Sequence, residues 1–369
     1  MPVVDLGRMR EEALALVKQQ RLEQRRTRLS LLDKLLAEVH HPIVCYVTAN
    51  RSQFGAQIGT DIIRFFHEHL EALGQSGVLG LFLVTKGGNT LAPSRLVTLM
   101  REHCKKLVVL VPYMAYSAGT LIALGADEIV MGPMAELGPV DPSVGNQFNP
   151  TPDVGDVPGS KLPVPRPRLP ISVEDVAAYL ALAREKAGLG EGSNMVEAFK
   201  ALTEKIHPLA LGNIHRQHML IRRLVKRLLA MHMNAAMEKE KIDQITETLT
   251  EKLYAHEYVI TREEARDEMQ LKVSYPTQLV EAMMWTLYKA YEEHLLLEQE
   301  IDLAGLLGGD SRKYAILDVA LIESKERLHV HSYRGWFIRK SAEEINVELE
   351  RAGWEDVPAL EKSLAAAAS

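Results

Sequence analysis

Two apolar runs, Leu79–Thr85 and Leu107–Val111, each stop at a turn of small residues and each lead into a helical segment. The first turn is Lys86-Gly87-Gly88-Asn89. The second is Pro112-Tyr-Met-Ala-Tyr-Ser117-Ala118-Gly119-Thr120, which opens a small-residue helix up to Ala126. With a helix expected over 91–106, this is a βαβ unit, and it restricts the chain to the α/β class. One strand ends in paired glycines, whose backbone can approach a ligand closely. The other ends in a serine at a helix start. That pairing suits an oxyanion hole beside a nucleophile. An acyl-enzyme at Ser117 Oγ places its oxyanion near the Ala118 N–H, and the Gly88 N–H supplies the second donor. On spacing alone the plainer account carries more weight, with Ser117 as a helix N-cap and Gly87-Gly88 as a turn.

The 369 residues suffice for one large domain with extensions. The net charge of -6 gives no global reason to expect a nucleic-acid partner. Two cysteines, Cys45 and Cys104, form no Cys-x-x-Cys motif, which argues against a structural zinc site and for a reducing compartment. The charged N-terminal stretch does not read as a secretory signal. No apolar run approaches the ~20 residues of a membrane helix. The expected location is cytoplasmic.

Residues 1–40 read as a helical arm whose stripe is Leu14, Leu16, Val17, Leu22, Leu29, Leu32 and Leu36, packed on the core or on a second subunit. Arg25, Arg26 and Arg28 are assigned no binding role. Residues 41–275 form the core, with a strand at Ile43–Val47, a helix at Ile62–Leu73 capped by Asp61, and a Pro/Gly-rich loop at 139–170. Helices are expected over 173–186, 196–206 and 213–237. The last carries a basic face of Arg216, Arg222, Arg223, Lys226 and Arg227, read as solvated or as a subunit contact. Leu253–Ile260 reads as a strand, and Thr261 caps a short helix. Residues 276–369 form a small α+β extension with a helix over 279–297 and paired strands at 315–324 and 327–339. His215 and His218 stand three apart on a helix, but no zinc motif surrounds them, so no metal and no cofactor are expected.

Phe82–Gly88, Pro112–Thr120, Gly125–Pro133 and Leu137–Pro142 together resemble the Clp-fold serine peptidases, and most of all the serine dehydrogenase proteinase family, related to signal peptide peptidase A and the Clp protease subunit (ClpP). Tyr46–Asn50, Ile206–Gly212 and Leu253–Ala265 match as well, so the resemblance runs over roughly 41–275. It implies a ClpP/crotonase-like ββα superhelix, with the N-terminal helical arm and C-terminal extension added. It further implies metal-free, cofactor-free hydrolysis of peptide or protein substrates by a homo-oligomer, with Ser117 as nucleophile and Gly88 and Ala118 as oxyanion donors. The word dehydrogenase in the family's name finds no echo, because no Gly-x-Gly-x-x-Gly fingerprint follows a strand.

Two positions depart from the family. Lys86 stands where relatives have proline, and it is expected on the surface. Pro139-Val140-Asp141-Pro142 lacks the histidine that the Clp protease subunit carries there, so a triad of that type is not expected. Signal peptide peptidase A uses a lysine as base. By that resemblance Lys205 or His207 takes the role, with Lys161 and His256 as further alternatives. Two other functions stay open: a Clp-fold scaffold without hydrolysis, and an acyl-CoA enzyme of the crotonase type, against which the Ser-Ala-Gly turn argues.

Overall fold

The computed structural model describes residues 5–140, 143–144, 147–150, 169, 171–189, 193–253, 255, 257–341 and 344–357. The chain divides into two units, Met1–Gly138 with Val259–Ser369, and Pro139–Tyr258. The first begins with helix α1 (Leu6–Val39), which starts where the Asp5 carboxylate accepts the Arg8 N–H at 3.1 Å. Its fully buried residues are Arg21, Arg25, Arg28, Leu32 and Leu35. Of the leucine stripe read from sequence, Leu32 is among them and Leu29 and Leu36 pack partly buried against the core, while Leu16 is exposed. The three guanidiniums are buried because acidic groups far along the chain meet them. Arg21 bonds Asp318 at 2.8 and 2.5 Å and Glu355 at 2.5 Å, and Arg28 bonds Glu323 at 2.6 Å. Arg26 is exposed.

β1 (Ile43–Thr48) is buried at every position. α2 (Ile62–Leu73), β2 (Ser76–Val84), α3 (Ala92–Glu102) and β3 (Cys104–Val111) alternate as expected, although β3 begins inside the stretch read as the end of a helix. β4 (Met114–Ala115), α4 (Ala118–Leu124), β5 (Glu128–Met131) and β6 (Glu136–Leu137) follow. Asp61 precedes α2, but its side chain makes no capping bond.

The second unit holds a short antiparallel pair, β7 (Ser143–Val144) and β8 (Ile171–Ser172). Helix α5 (Val173–Ala181) then runs into a π-helical turn at Leu182–Lys186. Next come α6 (Ser193–Lys205), α7 (Pro208–Leu229) and α8 (Lys239–Glu247), the last ending in a π-helical turn at Thr248–Lys252. α7 starts earlier than the sequence pattern indicates, because Pro208 sits in its first turn, where the missing N–H costs nothing. Ile171, Val173, Ala210, Leu211 and Ile214 form this unit's apolar cluster. Part of the basic face on α7 is paired: Lys226 meets Asp243 at 2.5 Å, and Arg222 meets Glu251.

The chain re-enters the first unit at β9 (Ile260–Thr261). Among the described residues of the strand expected over 253–260, only Ile260 is in a strand. The Thr261 hydroxyl accepts the Glu264 N–H at 3.3 Å, capping the turn Glu264–Glu268 as expected. β10 (Val273–Ser274), α9 (Gln278–Leu295), α10 (Leu303–Leu307), β11 (Arg312–Glu323), β12 (Leu328–Arg339) and β13 (Ile345–Val357) complete it.

The eight-stranded sheet runs β10-β5-β3-β2-β1-β11-β12-β13. From β10 to β1 the pairs are parallel, and from β1 outward they are antiparallel. This is the mixed α/β architecture expected from the sequence. β11 pairs directly with β1, so the sheet continues from the core strands into the C-terminal segment. Leu32, Leu35, Tyr288, Tyr291 and Leu321 pack with β1 in the main core. α2 is tied to the β11–β12 turn by a buried chain in which Ser324 Oγ lies 2.7 Å from His69 Nδ1, and His69 Nε2 lies 3.1 Å from His329 Nδ1.

Candidate active site

The turn after β2 is built around Thr85. Its N–H donates to the Met114 carbonyl and its carbonyl accepts the Tyr116 N–H, both at 3.0 Å, which stitches it to β4. Its buried hydroxyl accepts the Thr48 hydroxyl at 2.9 Å and the Gly87 N–H at 3.1 Å. The chain then bends through Gly87 (φ 109°) and Gly88 (φ 149°), a backbone that L side chains rarely adopt. Close packing reinforces the choice. A Cβ at Gly87 stands 2.8 Å from the Ser117 Cβ, and one at Gly88 stands 2.4 Å from the Ile58 carbonyl oxygen.

Gly88 forms a parallel bridge with Ile58. The bridge uses the Gly87 carbonyl (2.8 Å) and the Asn89 N–H (2.7 Å), which leaves the Gly88 N–H on the other side of the strand. Among the described residues that N–H has no acceptor. Asn89 then opens α3, its side-chain oxygen accepting the Leu91 N–H at 2.9 Å and the Ala92 N–H at 3.3 Å.

Ser117 lies between β4 and α4 at φ 51°, ψ -110°. This conformation is outside the regions open to residues bearing a Cβ. Ser117 occupies the N-cap position, yet its side chain makes no capping bond. The capping bond that the plainer account requires is therefore missing. Its hydroxyl is half-buried and has no hydrogen-bond partner among the described residues, and neither has the Ala118 N–H. Gly119 allows the approach to β2, since a Cβ there stands 2.6 Å from Thr85 Cγ2. Thr120 closes the turn from below: its hydroxyl lies 2.8 Å from the carbonyls of both Ala115 and Gly138 and accepts the Gly138 N–H at 3.1 Å.

The neighbouring Tyr116 donates its phenol proton to Glu136. Burial, with Glu136 next, pushes that phenol well above its usual pKa, so it stays protonated and is no base for Ser117. Lys86 is exposed, as expected, and its ammonium lies 3.7 Å from Glu298. A cleft of about 550 Å³ opens beside Gly87 and Gly88, bounded by Asn50, Lys86, His331, Tyr333 and Trp354. Asn50 and Thr85 are parts of this site that the sequence reading missed. The residues at the far wall come from β12 and β13, and no local signal announces them.

Ser117, Gly88 and Ala118 are thus brought together in the first unit. Lys205 and His207 belong to the second. Lys205 is exposed at the last position of α6. His207 caps α7 by accepting the Leu209 N–H at 3.1 Å, and its ring stacks on Phe148 at 4.8 Å. Lys161 and His256 lie outside the described residues. His215 and His218 do not group with a third ligand among the described residues, and His218 lies 3.3 Å from Glu251 instead.

Residues 70–161 match the family model described as ClpP-like SDH-type serine proteinase. That stretch contains Gly88, Ser117 and Ala118, and it agrees with the resemblance read from the motifs. Over that stretch, about a quarter of the chain, the sequence is ClpP-like. An uncharacterized protein of Methanocaldococcus jannaschii, MJ1495, is 45% identical over 67 residues, which is 18% of this chain and 23% of the relative. A second from the same organism, MJ0137, is 26% identical over 215 residues, 58% of this chain and 59% of the relative. The chain therefore spans less than two thirds of either relative. Among solved structures, the 1510-N membrane-bound stomatin-specific protease overlays 64% of this chain and 80% of its own, with TM-score 0.36 and 17% identity. The same protease with a substrate peptide gives TM-score 0.36 and 18% identity, over 66% and 78%. No described helix is long and apolar enough to cross a membrane.

Proposed function

We propose that this chain is a serine peptidase in which Ser117 attacks the scissile carbonyl. The observation that carries the reading is the Ser117 backbone, φ 51° and ψ -110°. A serine held in a glycine-like conformation, uncapped and next to two unpaired N–H groups, has a geometry with no evident structural use. A strained strand-to-helix turn is also how nucleophilic serines are presented elsewhere.

In this reading Ser117 Oγ bonds to the carbonyl carbon, and the π electrons move to oxygen. The Gly88 and Ala118 N–H groups receive the resulting oxyanion. One such donor contributes about 3 kcal/mol of transition-state stabilisation. Collapse expels the amine, which takes up a proton, and water then hydrolyses the acyl-enzyme. A base must accept the Ser117 proton, and Lys205 is proposed for it, with His207 second.

The test is covalent labelling by a fluorophosphonate, with the adduct mapped by mass spectrometry, and peptide turnover by Ser117→Ala. An adduct on Ser117 and turnover lost in Ser117→Ala, with the melting temperature kept, is the expected result. Retained turnover in that variant sinks the assignment. Lys205→Ala and His207→Ala decide the base, which accounts for about 10²-fold or more of the rate.

One observation favours a second reading. Among the described residues, no titratable side chain bonds the Ser117 hydroxyl, as suits a Clp-fold binding protein without turnover. Peptide binding without hydrolysis or labelling would establish that alternative.

A further inference from the structure

At the end of the sheet opposite Ser117, where β2 and β3 begin, three side chains converge that play no part in the chemistry above. His67 and Glu71 stand four residues apart on α2, hence on one face of the helix. His103 follows the last residue of α3. The backbone around them is fixed: the Ser76 N–H donates to the His103 carbonyl at 2.9 Å, and Gln75 Nε2 donates to the Glu102 carbonyl at 3.1 Å.

One ligand atom from each of His67, Glu71 and His103 lies within 4.8 Å of the other two. His103 Nε2 is 3.8 Å from Glu71 Oε1, too long for a hydrogen bond. Two ligands on a tetrahedral zinc ion stand about 3.3 Å apart, given metal–ligand bonds of 2.0–2.2 Å. Closing to that spacing takes about 0.5 Å for this pair and at most about 1.5 Å for the others, within the reach of the exposed His67 and Glu71 side chains. The His103 side chain is only 12% exposed, and its Nδ1 is buried without a hydrogen-bond partner. Nε2, the nitrogen that faces Glu71, is the ligand atom, and Nδ1 takes no part in the site.

We propose that His67, Glu71 and His103 bind a divalent transition-metal ion of the zinc type, with the fourth position open to solvent. Two imidazoles and one carboxylate select such an ion over calcium or magnesium, which take oxygen ligands in larger number. Bound there, the ion links α2 to the junction of α3 and β3. The site is independent of the Ser117 reading.

The experiment is calorimetric titration of the chelator-treated full chain with zinc chloride alone, beside His67→Gln and His103→Ala. Wild type should take up a single ion, and its melting temperature should rise with zinc concentration. Each substitution should weaken binding by about 100-fold or more, beyond the loss typical of a residue that only orients a ligand. His67 is exposed, so His67→Gln should fold normally by circular dichroism, and it decides the question by itself if His103→Ala does not fold. Absence of saturable binding in wild type overturns the proposal. So does unchanged affinity in His67→Gln, which would move the ion elsewhere, for instance to His215 and His218.

Discussion

Holding Ser117 at φ 51°, ψ -110° stores strain of about 1–3 kcal/mol, which the packing of Gly87, Gly119 and Thr120 around it sustains. Glycine removes that strain. Ser117→Gly is therefore expected to stabilise the fold by about 1 kcal/mol, read as a raised denaturation midpoint, while abolishing labelling. A midpoint that falls would mean the serine side chain itself supports the turn. At this scale the sequence was informative, since the conformational demands of Gly88, Ser117 and Ala118 are local and show in their order along the chain. The Thr85 hydroxyl that receives Thr48 and Gly87 was not legible, because a threonine at a strand end looks like any other.

α1 is held by charge. Glu323, 1% exposed, accepts Arg28 at 2.6 and 3.2 Å and the Tyr291 hydroxyl at 2.8 Å, with Arg25 at 3.7 Å. Glu323→Gln leaves two buried guanidiniums without their counter-charge and should cost about 3–5 kcal/mol by urea denaturation. Arg25→Met should cost much less than Arg28→Met, since Arg25 Nε and Nη1 make no hydrogen bond and only the 3.7 Å ion pair is lost. Equal losses would refute this division of roles. Helix periodicity located the element and, in Leu29, Leu32 and Leu36, the end that packs on the core, but it missed the buried arginines further toward the N-terminus. A stripe of leucines was the obvious reading, and arginines go inward only when distant carboxylates await them. The reduced strand before β9 has a related cause. Its apolar and aromatic composition favoured a strand, but the helical turn at Thr248–Lys252 runs up to its first residue.

Across the whole molecule, buried histidines set the acid limit. Burial, with His329 next, pushes His69 down to about 3 from 6.5. The unfolded chain therefore binds a proton at this site that the native one refuses, and stability present above pH 6.5 drains away as pH falls towards 3. Asp318 adds to the loss at still lower pH. Burial acts to raise it, but hydrogen bonds from His294 and Arg21 outweigh this and hold it well below the carboxylate range. Melting temperature should drop steadily below pH 6.5, and His69→Gln, which cannot titrate, should drop less steeply. An identical slope would remove His69 from the account. The parallel part of the sheet was readable from alternating patterns, whereas the docking of β11 on β1 was not, because pairing over such a separation leaves no local mark. That pairing also orders events during synthesis. Residues 43–48 leave the ribosome early, but their outer neighbour at 312–323 comes some tens of seconds later at ordinary elongation rates. Throughout that interval the central strand has one bare edge, open to the wrong partner. Yield of this protein in a cell should therefore depend on what shields the nascent chain as much as on the stability of the finished one.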